Sequence, residues 1–174
     1  MDVLIETPRL KLRRYLLQDL DAFHRIVSDP LTMAFWPAPF KRDQARAWIE
    51  RAIAGYQQHG YGRMPVSLKA TGEQIGDCGA MPAFTAGRPI VDFGWIIDRH
   101  HWQQGYAVEA AAAVRDYLFT LPAVARLHAH MAWNHVASRR VAEKIGGRCV
   151  LEFDNERDRN IRHLLYEVAR SQAE

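Results

Sequence analysis

Residues Ile96–Ala110 read IIDRHHWQQGYAVEA, and this stretch decides the architecture. A β-branched run ends at Ile97, a short polar turn follows, and a loop containing Gly105 opens directly into a long helical pattern. From Tyr106 to Phe119 the apolar positions Ala107, Ala110, Ala111, Val114 and Leu118 fall on one face of a helix, and Pro122 closes the segment. A strand that passes through a glycine loop into a helix leaves unpaired backbone N–H groups and the positive end of the helix dipole at one spot. A phosphate or pyrophosphate fits such a spot. Gly105 lets the backbone approach a ligand closely, and it equally eases a tight strand-to-helix turn; glycine placement alone leaves both readings open. The stretch contains neither a G-x-x-x-x-G-K-[ST] phosphate loop nor a G-x-G-x-x-G dinucleotide fingerprint. An anion site of another kind is required.

On the N-terminal side, Arg9 to Tyr15 reads as a strand following the extended Thr7-Pro8 pair. Asp19 is placed to cap a short helix with apolar face Leu20, Phe23 and Val27, stopped by Asp29-Pro30. An aromatic loop with Phe35, Trp36 and Phe40 leads to a second helix starting near Asp43, with Trp48, Ala52 and Tyr56 on its buried face. Met64, Val66 and Leu68 alternate as a strand, which Pro65 assigns to an edge or a bulge. Thr71-Gly72 turns the chain into a strand over Ile75 to Met81, and Val91 to Ile97 forms the next. Beyond the central helix, Leu127, Ala129 and Met131 mark a strand. Residues 135–145 form a helix closed by Gly146-Gly147, and Cys149 to Phe153 and Ile161 to Ala169 supply the last strands. The fold class is therefore α+β (mixed α/β), one domain over residues 1–174 with a core over about 5–170, and no repeat or linker divides it.

The bulk numbers agree with one domain: 174 residues, 48% hydrophobic and 25% charged, enough to bury a core without a disulfide or metal. The two cysteines, Cys78 and Cys149, read as free thiols of a reducing compartment, both as small buried hydrophobes. Residues 1–12 lack the apolar run and cleavage site of a secretion signal, and no apolar stretch is long enough to span a membrane. A cytoplasmic location is expected. The formal net charge of +3 is scattered, and the basic cluster Glu156 to His163 contains two acids, so no nucleic-acid partner is expected. An RNA-binding reading would rest on Arg157 to Arg162 and predict steep salt dependence. His128-x-His130 and His100-His101 lack a third ligand at recognisable spacing, so no metal is expected.

Trp102 to Ala107 resembles the pyrophosphate-binding motif [Q/R]-x-x-G-x-[G/A] of the GNAT acetyltransferases, with Gly105 and Ala107 in register. Tryptophan at the first position followed by G-Y-A-x-E-A is similar to the ribosomal-protein N-acetyltransferase (Rim) branch. So are Glu6-Thr7-Pro8-Arg9-Leu10, the run Asp29 to Trp48, Asp92 to Trp95 (DFGW) and Asn134 to Gly146 (NHVASRRVAEKIG). In the last of these the asparagine stands one place early and His135 holds its usual position. The resemblance implies an acyl-CoA N-acyltransferase fold, with a strongly twisted mixed sheet of six to seven strands flanked by about four helices. It also implies acetyl-CoA as co-substrate and a primary amine as acceptor, either a protein N-terminus or a small molecule, attacked directly in a ternary complex. Homodimerisation follows from family habit.

The same resemblance implies the site. The pantetheine arm would pair with backbone groups of Ile96 and Ile97, in a gap beside the strand that ends at Trp133. The pyrophosphate would sit on Trp102, Gln103, Gln104, Gly105, Tyr106 and Ala107, with Asn134 bonding the arm or simply capping its helix. Asp92 is the implied proton acceptor, and burial would be needed to make it a useful base near neutral pH. Ser138 is implied as the donor to the cofactor sulfur, where many members use a tyrosine at the position held here by Ala142. Phe35, Trp36 and Phe40, with Tyr15, would line the acceptor pocket. Glu109 reads as a partner of the helix dipole. Gln103 in place of a usual glycine, with Ala142 and Gly147 in place of aromatics, favours the alternative of a non-catalytic acyl-CoA-binding module.

Overall fold

The structure is a computed structural model, and it describes residues 3–170. Residues 1–2 and 171–174 of the expected domain lie outside the described residues. The chain runs β1 (Val3–Glu6), β2 (Leu10–Arg13), α1 (Leu20–Val27), α2 (Arg42–His59), β3 (Arg63–Leu68), β4 (Gln74–Thr85), β5 (Arg88–Ile97), α3 (Tyr106–Phe119), β6 (Arg126–Ala132), α4 (Val136–Lys144), β7 (Arg148–Asn155) and β8 (Ile161–Ala169). One eight-stranded sheet has the order β1-β2-β3-β4-β5-β6-β8-β7. The additional strand relative to the sequence reading is β1, which pairs antiparallel with β2 around the Thr7-Pro8 corner.

All neighbours are antiparallel except β5 and β6, which run parallel and are in register only at Asp92 and His128. A parallel pair needs a long crossover, and α3 is that crossover. Beyond the single matched position the two strands diverge toward their C-terminal ends, so the sheet opens beside Ile97 and Ala132. Successive side chains of β5 alternate faces. Phe93 packs with Ala110, Val114 and Leu118 of α3, whereas Ile96 packs with Phe23 of α1 and Ile49 of α2. Two apolar layers thus cover the sheet.

Several local expectations are corrected. Asp19 is the N-cap residue of α1 as expected, but its carboxylate makes no cap bond to that helix: it accepts from the Leu16 N–H at 2.8 Å and pairs with Arg13 at 2.6 Å. The buried stripe of α2 is Ala45, Ile49 and Ala52, with Trp48 and Tyr56 half-buried at its margin. Pro65 is in an interior strand, but β2 reaches only Val66, Ser67 and Leu68, so β3 has a partner on one side only at the proline. Cys78 is buried and Cys149 is exposed on β7. Helix α4 ends as expected: Gly146 takes φ 87°, and the N–H groups of Gly146 and Gly147 return to the carbonyls of Glu143 and Ala142, a Schellman closure. Among the described residues no helix is long and apolar enough to cross a membrane.

Candidate active site

The loop between β5 and α3 is built so that its amides stay open. The N–H groups of Asp98, Arg99, His100, His101 and Trp102 are all bonded, to Ile75, Thr32, Asp98, Asp98 and Arg99 respectively. Those of Gln103 through Val108 carry no hydrogen bond to any described residue. Gly105 takes φ 82° as the N-cap of α3, and Gln103 takes φ 60°, the left-handed conformation in which glycine is favoured. The glutamine thus holds a backbone shape that a glycine at this position would adopt at less cost.

The loop is held from the β1–β2 corner. Glu109 Oε1 accepts from the Thr7 hydroxyl at 2.6 Å and from the Arg9 N–H at 3.0 Å, and Oε2 accepts from Arg9 Nε at 2.6 Å. Arg9 Nη1 also donates to the Gln104 carbonyl at 2.9 Å, and its guanidinium lies over the Tyr106 ring at 4.4 Å. Hydrogen bonds from Thr7 and Arg9 outweigh burial and hold the Glu109 carboxyl below its ordinary pKa. The sequence reading assigned Glu109 to the helix dipole; the structure adds that it ties the first turn of α3 to the ETPR corner.

Register decides which groups of β5 face the opening. Ile97 is opposite Gly76, and the Asp98 N–H bonds the Ile75 carbonyl, so the Ile97–Gly76 pair is of the non-hydrogen-bonded type. Ile96 is then bonded to Asp77 of β4, and the backbone groups of Trp95 and Ile97 turn toward β6. This corrects the expectation for Ile96, whose N–H and C=O are committed to the sheet. The Ile97 carbonyl is also taken, by the Trp102 indole N–H at 2.7 Å. Trp95 and the Ile97 N–H remain available at the gap. Asn134 is exposed in the turn after β6, and α4 begins at Val136 with His135 as N-cap, so Asn134 does not cap the helix.

Where β5 and β6 part, a cleft of about 700 Å³ opens, lined by the α1–α2 loop, the β4–β5 hairpin and the β7–β8 loop. Phe35, Trp36 and Phe40 line it. Tyr15 does not: it is 1% exposed, and its hydroxyl donates to Asp77 at 2.9 Å. Trp36 meets Phe40 and Trp48 edge-on, with ring centroids 5.4 and 5.8 Å apart, while Phe35 stacks flat on His135 at 3.8 Å.

Asp92 and Ser138 both line this cleft. Asp92 sits on its floor, where surrounding protein pushes its pKa up despite the opposing charges of His130, Arg63 and His128. The carboxylate still faces the open space, with 36% of its side chain exposed, and lies 3.8 Å from His130 Nε2. Ser138 Oγ is 3.4 Å from His135 Nε2. Ala142 is buried.

Burial pushes the His135 pKa down to about 4. An unfolded imidazole takes its proton near 6.5. The unfolded chain therefore binds more protons than the folded one between these values, and stability falls as the pH drops through that window. His135→Phe should keep the stack on Phe35 and flatten the dependence of Tm on pH over the same range; an unchanged acid slope would show that other groups carry it.

Sequence reasoning did not find His130, His163 and Asp158, which form a hydrogen-bonded row behind Asp92. The signal available in the sequence is the alternation His128-x-His130 on a strand entering the site, a spacing that fits a proton-handling pair as well as a metal pair. Among the described residues no group of metal-ligating side chains is assembled.

Residues 9–148 match the sequence profile of the acetyltransferase (GNAT) domain. The chain belongs to the GNAT acetyltransferase family. The uncharacterized protein YkkB of Bacillus subtilis is 32% identical to this GNAT chain over 143 residues, which cover 80% of the chain and 82% of that relative. The crystal structure of an acetyltransferase from Agrobacterium tumefaciens superposes with TM-score 0.81 at 26% identity, over 98% of this chain and 95% of that one. The ribosomal L7/L12 α-N-protein acetyltransferase RimL, solved in complex with coenzyme A, superposes with TM-score 0.76 over 97% and 98% of the two chains. At 15% identity this last likeness is one of fold.

Proposed function

We propose that this GNAT acetyltransferase moves the acetyl group of acetyl-CoA to a primary amine that enters the cleft beside Asp92. The observation that carries the reading is the row of unbonded amides from Gln103 to Val108 at the mouth of α3. Such a row suits a pyrophosphate, because several N–H donors and a helix dipole converge on one anion. The RimL structure, which holds coenzyme A on the same fold, supports the assignment. The pantetheine arm would then lie in the opening between β5 and β6, bonded to the outward-facing groups of Trp95 and Ile97. Asn134 is exposed at the far side of that opening, free to meet the arm.

Attack on the thioester needs a neutral amine. A protein N-terminus has a reference pKa of about 8 and a lysine about 10.4, so an α-amine or a small weakly basic amine places the smaller demand on a base. Asp92 draws the ammonium form to the cleft floor, and together with His130 it takes up the surplus proton. The oxyanion formed on the thioester carbonyl is served by the Ile97 or Trp95 N–H. Ser138, held toward His135, serves as donor to the departing sulfur; a thiol of pKa near 8.5 leaves without a strong acid. Phe35, Trp36 and Phe40 line the path by which the acceptor arrives.

An acceptor screen that follows release of free coenzyme A tests this reading. Amine-dependent release from acetyl-CoA is expected with at least one of two sets, N-terminal peptides or small primary amines. Tight coenzyme A binding with no release for any amine would favour the non-catalytic module.

A further inference from the structure

The row behind Asp92 determines which nitrogen of His130 can act as a base. Asp158 is 5% exposed at its side chain and lies in the β7–β8 loop, with its Oδ2 3.0 Å from His163 Nε2. Arg159 Nε donates to the other oxygen, Oδ1, at 3.1 Å. A carboxylate can only accept, so His163 carries its proton on Nε2. Burial lowers the pKa of His163, which keeps the ring neutral and leaves Nδ1 with a lone pair. Two groups converge on that lone pair: the Asn155 side-chain nitrogen at 3.4 Å and His130 Nδ1 at 3.1 Å. His130 must therefore donate from Nδ1. In the neutral ring its Nε2 is then unprotonated, and that nitrogen lies 3.8 Å from Asp92 in the cleft that both residues line.

We infer that His130 Nε2 is the atom that receives the proton of the attacking amine, with His163 and Asp158 as positioning residues that fix its tautomer. This rests on the acetyl-transfer reading and specifies the proton-handling part of it. The amine N–H bond breaks with its electron pair left on nitrogen, a new Nε2–H bond forms, and the resulting imidazolium is balanced by the Asp92 carboxylate. The proton passes afterwards to cleft water, and the thiolate leaving from the thioester takes its proton from Ser138, which recovers one from solvent. The charged groups around His130 come from four directions. Asp92 faces it from β5, His163 from β8 and Asp158 from the β7–β8 loop, while His128 on β6 is engaged by Glu167 at 3.2 Å. Arg63 of β3 acts on Asp92 across the floor, and Asp154, Glu156 and Arg157 line the mouth.

The row can be inverted with one atom. In Asp158→Asn the oxygen must stay at the Arg159 side to accept its N–H, which presents the amide NH2 to His163 Nε2. His163 then accepts at Nε2 and donates from Nδ1, His130 accepts at Nδ1, and His130 Nε2 becomes a donor. NMR of the histidine ring nitrogens, at a pH where the rings are neutral, reads this without substrate or turnover. His130→Gln identifies the His130 signals by their disappearance. The expected result is an Nδ1-protonated His130 in the native chain and an Nε2-protonated one in Asp158→Asn. An Nε2-protonated His130 in the native chain would overturn the inference even if acetyl transfer is demonstrated.

The kinetic arm compares two variants. His130→Gln should lower kcat by about 100-fold and remove the acid limb of the pH profile, the usual scale for losing a general base. Asp92→Asn should displace that limb toward lower pH without removing it. The reverse pattern, in which Asp92→Asn removes the limb and His130→Gln only displaces it, assigns the proton to Asp92 and refutes the role of His130.

Discussion

Asp77→Ala is expected to destabilise the protein by about 3–5 kcal/mol, the cost of leaving a buried charge without its partner. Asp77 is fully buried on β4, and Arg63 of β3 is 5% exposed. Arg63 Nε donates to Asp77 Oδ1 at 2.7 Å, and its Nη2 meets the same oxygen. The Tyr15 hydroxyl at 2.9 Å and the Trp48 indole at 3.2 Å share Oδ2. Truncation therefore strands a guanidinium and two further donors in the layer that carries α1 and α2. The aromatic wall of the cleft leans on the same Trp48, so a variant that still folds should also lose acceptor affinity. The paired change Arg63→Met with Asp77→Leu removes both charges and should recover most of the loss, because an apolar replacement of a buried pair is often neutral. Urea unfolding of the single and the paired variant, beside the native chain, measures this. A single-variant loss under about 1 kcal/mol would mean the pair is hydrated in solution and comparable to a surface bridge.

Gly105→Asp is expected to abolish cofactor binding while sparing the fold. Aspartate tolerates the left-handed conformation that Gly105 holds at φ 82°, and a carboxylate beside open helix amides is favourable to the helix. The same carboxylate would occupy and repel the place reserved for a pyrophosphate. A hydrogen bond to a charged group is worth roughly 1.5–3 kcal/mol, so displacing two of them raises the Kd for coenzyme A by about 100-fold or more. Calorimetric titration reads the affinity, and the Tm without ligand reads the fold. Unchanged affinity in a folded Gly105→Asp protein would move the pyrophosphate elsewhere.

What the sequence allowed and what it hid divide along the range of the interaction. Helix α3, the glycine closure of α4 and strand β8 depend on periodicity and on neighbours a few residues away, and their limits were legible almost to the residue. The turn between β4 and β5 was not read. It uses Ala86 and Gly87 with φ 49° and 75°, a two-residue hairpin whose first position is normally marked by asparagine, aspartate or glycine. The loop of open amides ahead of α3 was legible because it is made of consecutive residues. Their support was not, since Thr7 and Arg9 are about a hundred positions from Glu109. The choice between Ile96 and its neighbours on β5 needed the strand register, which a one-residue slip reverses. The His130–His163–Asp158 row was hidden for the same reason: His130 and His163 are brought together only by the antiparallel pairing of β6 with β8.

Pyrophosphate held on the open amides at the mouth of α3 would leave a mark on each of those N–H groups. An amide-resolved NMR titration of the protein with acetyl-CoA tests it most directly. The largest shifts are expected on residues 103–108, with a second group at Trp95 and Ile97, and Gly105→Asp should erase the first group. Saturable binding that leaves the amides of 103–108 unmoved would contradict it.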